Sequence, residues 1–482
     1  MAKGTYLRLL HLSHRWLGIG LCLMVLLWFI SGLVMLFVAR PQLDDAERLA
    51  GLPPLAADSV RVSPATAWQA LGLSGAPQAI RLTAAGGTPA YRFLAEKRWW
   101  QVDARDGRIA PEADALLASR VVLPHAGPTG IATVSTLTQD QWTLYRRFDA
   151  LRPFWLVQLR DGRAYYVSAR TGEVALDTAP GERAWNWLGS VVHWLYITPL
   201  RANTPLWRNV VLWGSGAALL LAFSGLWLGL QRLRLRRRYR NERCTPYRHG
   251  WKRWHHLLGL SGGLILLTWL FSGWLSMAPF GLGSAPQKPG RAATLAMSGL
   301  TDVPAPTPES REIEWLMLGK TLLRVDRQIE DSRIQQINVG LPPGAQPALS
   351  LAQITDALGV PLASASWLAS PDSRHYPLRH HPRSFPAARV ELGDAAGSVL
   401  YIAPRSGRIE TVSNQDDLAY RWLNHGLHRF DLPGLVDRPM LRDALIILLS
   451  LLGIGLSLSG CILGWHRLSS TRRETLTVAG KS

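Results

Sequence analysis

Four stretches of this chain are too apolar to stand in water and long enough to cross a bilayer. They run from about Trp16 to Val38, Val210 to Leu230, Leu257 to Met277 and Ala444 to Trp465, and none contains Asp, Glu, Lys or Arg. A transmembrane helix needs about 20 apolar residues, and only a helix satisfies its own backbone in lipid without a partner segment. The first stretch is too long for a signal peptide and lacks a small-residue cleavage site, so it reads as a retained helix. The 21 tryptophans suit interfacial aromatic belts.

Charge orients the four helices. Residues 1–15 carry Lys3, Arg8 and Arg15 without an acid, residues 231–253 carry ten Lys/Arg against Glu242, and the tail from His466 is also basic. Together they hold +15 of the formal +19, and all three lie on one side of a four-span topology. The positive-inside rule makes that side the cytoplasm, with both termini there. The basicity is therefore topological and does not signal nucleic-acid binding. Two large, nearly neutral regions, about 40–205 and 279–440, are expected outside the bacterial inner membrane. Lipid is then a necessary partner.

The chain repeats itself. His14-Arg15-Trp16-Leu17-Gly18 matches His255-His256-Leu257-Leu258-Gly259, Trp28 matches Trp269, and Ser31-Gly32 matches Ser272-Gly273, all at an offset of 241. Tyr166 to Val174 matches Tyr401 to Ile409, Trp187 matches Trp422, and His193 matches His428. Ser224-Gly225 matches Ser459-Gly460, and all of these share an offset of 235. One offset held through loop, helix and span indicates tandem duplication. The expected fold is an α-helical membrane protein, a four-helix transmembrane bundle with two α+β outer domains. Ser63–Leu73 reads as a helix after a Ser-Pro start. Tyr91–Phe93, Arg98–Val102, Tyr165–Val167 and Leu400–Ile402 read as strands. The Pro, Gly, Ala and Ser-rich residues 281–310 read as a loose linker.

Of the 13 histidines, four are matched by the repeat: His14 with His255, and His193 with His428. The pairs fall at opposite ends of the spans. A b-type haem takes two axial ligands from facing helices, and neutral imidazole tolerates burial. Two haems b per chain, one near each face, would wire the bilayer. Gly18, Gly20, Gly214, Gly216, Gly259, Gly262, Gly263, Gly453 and Gly455 could let a flat macrocycle lie against the helices. His11, His249, His256, His425 and His466 are secondary ligand candidates, and His14 could also pair with His249 or His466. A further basic, proline-broken run, Arg374-His375-Tyr376-Pro377-Leu378-Arg379-His380-His381-Pro382-Arg383, is a possible substrate loop, or simply a solvated one.

Several chemistries lack their motifs. There is no CxxCH for covalent haem, no GxGxxG or Walker loop, no HExxH and no serine elbow on a strand-to-helix turn. Cys22 and Cys461 lie in spans and Cys244 in the basic loop, so the outer regions hold no disulfide. Any electrons must come from a membrane quinol or a separate cytoplasmic donor.

The His-Arg-Trp-Leu-Gly opening, the Ser-Gly near the span's end, the Tyr-x5-Gly-x-Val turn and the Trp-x5-His before the next span resemble the PepSY-associated transmembrane family. The PepSY-like pieces are Ser63–Ile109, the turn ending at Val174, and Leu349–Ile409. The apolar pattern gives a first span within 1–39 and an outer region over 40–184. It then places a juxtamembrane helix and span over 185–230, a basic loop over 231–253 and a third span over 254–279. A second outer region follows over 280–418, a juxtamembrane helix and fourth span over 419–466, and a tail over 467–482. Members of the family include inner-membrane di-haem siderophore reductases of the ferrioxamine-utilisation type. By that resemblance His14, His193, His255 and His428 would hold the haem irons, and a periplasmic ferric siderophore would be the substrate. No catalytic residue separate from the haems is implied. The alternatives are the same wiring with another acceptor, such as a copper complex or a periplasmic redox protein, and a non-redox scaffold that restrains a peptidase.

Overall fold

The computed structural model describes residues 2–236, 238–239, 242–281, 295, 297–329, 331–337, 346–380 and 382–479. The chain forms two units. Met1–Arg40, Ala184–Ala285 and Leu418–Ser482 make the first, and Pro41–Arg183 with Pro286–Asp417 make the second.

The first unit is helical. Its four long helices are Ala2–Phe37, Thr204–Arg232, Trp251–Leu275 and Pro439–Ala479, here the first to fourth spans. Their apolar windows have mean hydropathies of 1.6 to 2.6. The shortest has 25 residues, roughly 37 Å of helix against a hydrocarbon core of about 30 Å. This is a multi-pass membrane protein, and the outward faces of its spans meet lipid.

Small residues set how closely the spans approach. Gly18 lies against Leu221, Gly263 against Leu226, Gly262 against Leu452, and Gly464 against Ile19. Each span thus touches two neighbours, in the order first, second, third, fourth and back to the first. The first and third spans are diagonal. Mid-bundle, Val25, Phe29, Ala218, Ala222 and Leu270 are buried together, with the Phe29 and Trp269 ring centroids 5.7 Å apart.

The second unit is α+β. Its strands are β1 (Ala79–Thr83), β2 (Ala90–Ala95), β3 (Arg98–Asp103), β4 (Ile131–Leu137), β5 (Phe154–Leu159), β6 (Ala164–Ser168) and β7 (Val174–Thr178). Then follow β8 (Glu312–Leu318), β9 (Thr321–Arg327), β10 (Ser332–Ile337), β11 (Leu362–Leu368), β12 (Ala387–Leu392), β13 (Val399–Ile402) and β14 (Ile409–Ser413). They form a six-stranded sheet ordered β10-β9-β8-β1-β2-β3 and two four-stranded sheets, β4 to β7 and β11 to β14.

The two regions between the spans therefore meet within one sheet: β1 pairs antiparallel with β8, Ile80 opposite Trp315. The expected helix after Ser63 is Pro64–Ala70, with the Ser63 side chain capping the Thr66 N–H and Pro at the first turn. Its Ala67 and Trp68 bury against Ile80, Tyr91, Phe93 and Ile313. Leu351–Leu358 carries a Ser350/Gln353 capping box, lies against β8, β11 and β12, and buries Ile354, Ala357 and Leu358 in one core with Leu323, Val390 and Ile402. Each such large apolar side chain is worth about 1.5–3 kcal/mol when fully buried.

One expectation is corrected. Residues 282–294 and 296 lie outside the described residues, but the stretch 281–310 is not simply a loose linker. Leu295 and Leu300 are buried in the core beside β1 and β2, and Leu300 accepts the Ala65 N–H through its carbonyl. Two leucines spaced through a small-residue run are enough to pin it to an apolar surface.

Candidate functional site

Four serines set the site. Ser31, Ser224, Ser272 and Ser459 are each 5 % exposed or less. Each hydroxyl donates to the carbonyl three residues earlier: Trp28 (3.1 Å), Leu221 (2.9 Å), Trp269 (3.1 Å) and Leu456 (2.6 Å). With its proton committed there, each oxygen accepts from a histidine on another segment. His193 Nδ1 donates to Ser31 Oγ at 3.1 Å, His14 to Ser224 at 3.2 Å, His428 to Ser272 at 3.0 Å and His255 to Ser459 at 2.9 Å. His14 and His193 also reach the carbonyls themselves, Leu221 and Trp28, both at 3.2 Å.

The next residue along is always glycine. A Cβ on Gly225 would stand 2.6 Å from His14 Cε1. On Gly32, Gly273 and Gly460 it would stand 3.4–3.5 Å from Cε1 of His193, His428 and His255. Ser-Gly is thus a seat: the serine ties down Nδ1 and the glycine admits the ring.

The network fixes the tautomer. Nδ1 carries the proton, and Nε2 keeps its lone pair. Among the described residues no Nε2 of these four rings has a hydrogen-bond partner. Burial pushes the imidazoles of His193 and His428 down to about 4, which keeps both rings neutral at physiological pH.

The rings meet in two pairs. His14 and His255, on diagonal spans, have centroids 6.3 Å apart, and His193 and His428 have centroids 6.2 Å apart. Along the first span His14 and Ser31 are 17 residues apart, so the pairs are separated by about 26 Å along the bundle. His193 and His428 each follow a π-helical turn, Trp187–Val191 and Arg421–Gly426, a local widening frequent at functional sites.

The pairs fit a haem. A metal–imidazole bond is about 2 Å long, so two rings ligating one metal from opposite sides have centroids roughly 6 Å apart. Among the described residues no three His, Cys, Asp or Glu converge to hold a bare ion. Two imidazoles suffice when the metal brings its own ring of ligands, as in a porphyrin. A ligating histidine whose other nitrogen donates to an oxygen is the usual outer-shell arrangement.

A sequence model of the PepSY-associated TM region matches residues 12–314. The chain belongs to that family. In this PepSY-associated protein the match spans His14, His193 and His255 and ends before His428. No curated protein matches the chain.

The other histidines of this PepSY-associated protein have different surroundings. His11 Nε2 accepts from Arg232 at 3.1 Å. His256 Nε2 donates to the Gly229 carbonyl at 3.0 Å, with its ring edge-on to Tyr247. His425 stands edge-on to Tyr420, and His249 and His466 are exposed.

In the basic run, His375 is fully buried, stacked on Tyr401 at 4.8 Å and bonded to Thr411 Oγ1 at 3.0 Å. Burial lowers its pKa. It therefore holds the sheet rather than facing solvent. Arg374 and His380 are half-buried, Arg379 is exposed, and Arg383 donates to the Glu410 carbonyl. His381 lies outside the described residues.

Sequence reasoning missed the seats. The Ser-Gly pairs were visible as marks of the repeat, and their recurrence on every span was the available signal. The glycines singled out instead mostly meet leucines and other apolar side chains of neighbouring spans.

Proposed function

We propose that this protein is an inner-membrane di-haem b reductase that delivers electrons across the bilayer to a ferric siderophore outside. The observation that carries the reading is the pair of facing imidazoles at each end of the bundle, every Nδ1 tied down and every Nε2 left open. A haem b at each pair would supply reversible one-electron chemistry. His14 and His255 would hold one, and His193 and His428 the other.

The chain's own contribution is positional. The serines orient the rings, the glycines give them room, and the apolar spans exclude water from the interior. By the positive-inside rule the His14/His255 pair would lie on the cytoplasmic side and the His193/His428 pair on the opposite side. The matched seats and matched sheets support a tandem duplication. A quinol or a cytoplasmic donor would supply electrons. Adding one electron to the chelated ferric ion gives a ferrous ion, which hard oxygen ligands hold less well.

The test is direct. Purified protein, reduced anaerobically and mixed with a ferric hydroxamate in the presence of a ferrous trap, should reoxidise and release trapped ferrous iron. Reduced protein that stays reduced beside the chelate would rule out this substrate.

A further inference from the structure

The four seats repeat between the halves, but the surroundings of the second pair do not. Asp431 is fully buried. Arg442 Nη1 donates to its Oδ1 at 3.1 Å, Arg429 Nη2 stands 3.0 Å from its Oδ2, and Arg421 Nη2 donates to its carbonyl at 3.1 Å. Arg442 Nε also faces Asp443 Oδ1 at 3.8 Å. Arg421, Arg442 and Asp443 are each less than a tenth exposed. Arg429 directly follows His428, and the Asp431 N–H donates to the His425 carbonyl at 3.4 Å.

One repeat earlier, the first half has Asn186, Trp194, Tyr196 and Trp207 where the second has Arg421, Arg429, Asp431 and Arg442. Those rings pack together, Tyr196 at 5.4 Å from Trp194 and 5.1 Å from Trp207. The first half's own cations stand at positions the repeat does not match to arginine: Arg201 lies over Tyr196 and Trp207, and Arg208 donates to the carbonyls of Met277 and Ala278.

The surroundings that follow the two histidines are therefore unlike: aromatic rings after His193, and around the stretch that follows His428 three guanidiniums against the two carboxylates of Asp431 and Asp443. Arg421 and Arg442 are buried and Arg429 is partly exposed, and an excess of positive charge in such a poorly solvated place draws a carboxylate. A haem has matching polarity, with two carboxylates on one edge and apolar groups on the opposite edge. Symmetric histidine seats cannot choose between its two orientations, but an asymmetric charge cluster can.

We propose that Arg421, Arg429 and Arg442 form the carboxylate-receiving side of the group held between His193 and His428, fixing it in one orientation. This rests on the haem reading above.

The test uses full-length chain carrying His14→Ala and His255→Ala, so that only the second pair remains, purified from haem-deficient cells. It is titrated with protohaem and with protohaem dimethyl ester, whose carboxylates are masked. The acid should bind at least tenfold more tightly than the ester. Arg429→Gln with Arg442→Gln should erase most of that preference, while Arg442→Lys alone should preserve it. An equal preference in the Gln variant and its parent would overturn the proposal while leaving the haem reading intact. Failure of both porphyrins to bind the parent would overturn both readings.

Discussion

A histidine becomes a useful metal ligand through what holds its second nitrogen and what lets its ring lie flat. Here both jobs fall to one dipeptide. Gly225→Ala would put a methyl 2.6 Å from His14 Cε1, closer than any packed ring tolerates. The ring must leave its seat, so haem content should fall by one per chain with the second haem retained. An optical count on the purified variant checks this. Ser31→Ala should be milder, because Trp28 O still accepts from His193. The haem should stay, with affinity down by about 10–100-fold as for other lost outer-shell partners; a titration of the apo-chain reads it.

The four ligand candidates were legible in the sequence because the repeat isolates them from nine other histidines. Their seats were not, because His14 and Ser224 lie 210 residues apart and no local pattern links them.

Among elements, β8 holds the sheet unit together. Glu312 on β8 is fully buried, and Arg48 clamps it with bonds of 2.7 and 2.8 Å. Arg327 stands 3.1 Å away and Arg81 3.6 Å. Removing one partner of a buried ion network costs about 3–5 kcal/mol, so Glu312→Gln should open the sheet unit to limited proteolysis under conditions where the parent resists.

The pH dependence follows the same group. Burial alone would raise the Glu312 carboxyl, but Arg48, Arg81 and Arg327 more than offset it and hold it well below its ordinary 4.5. A carboxyl held low in the fold contributes stability that is complete above its unfolded value and is lost as pH falls toward the folded one. Protease resistance of the sheet unit should therefore decline below about pH 4.5, and less steeply in Glu312→Gln.

Strand positions such as Tyr91–Phe93 were readable from alternation. The β1–β8 pairing was not, since it joins segments more than two hundred residues apart and depends on cross-strand packing such as Ile80 against Trp315. Leu295 and Leu300 misled in the same way: their small-residue context says linker, and only the core shows what they cover.

At the scale of the whole molecule, belonging to the PepSY-associated TM region family and having four spans make it a membrane protein. Its direction in the bilayer comes from charge. Cys244 sits in the basic loop between the second and third spans. A membrane-impermeant maleimide should label it in inverted vesicles and not in intact spheroplasts; labelling in spheroplasts would reverse the proposed direction of electron flow.

The central claim is that the paired imidazoles at the two ends of one bundle each hold a haem. The measurement that tests it most directly is a pyridine haemochrome count per chain. It would be made on the parent, on the His14→Ala/His255→Ala variant and on the His193→Ala/His428→Ala variant, all from cells supplied with iron and haem precursor. The account predicts about two haems b in the parent and about one in each variant. A parent without haem, or variants that keep the parent's count, would contradict it.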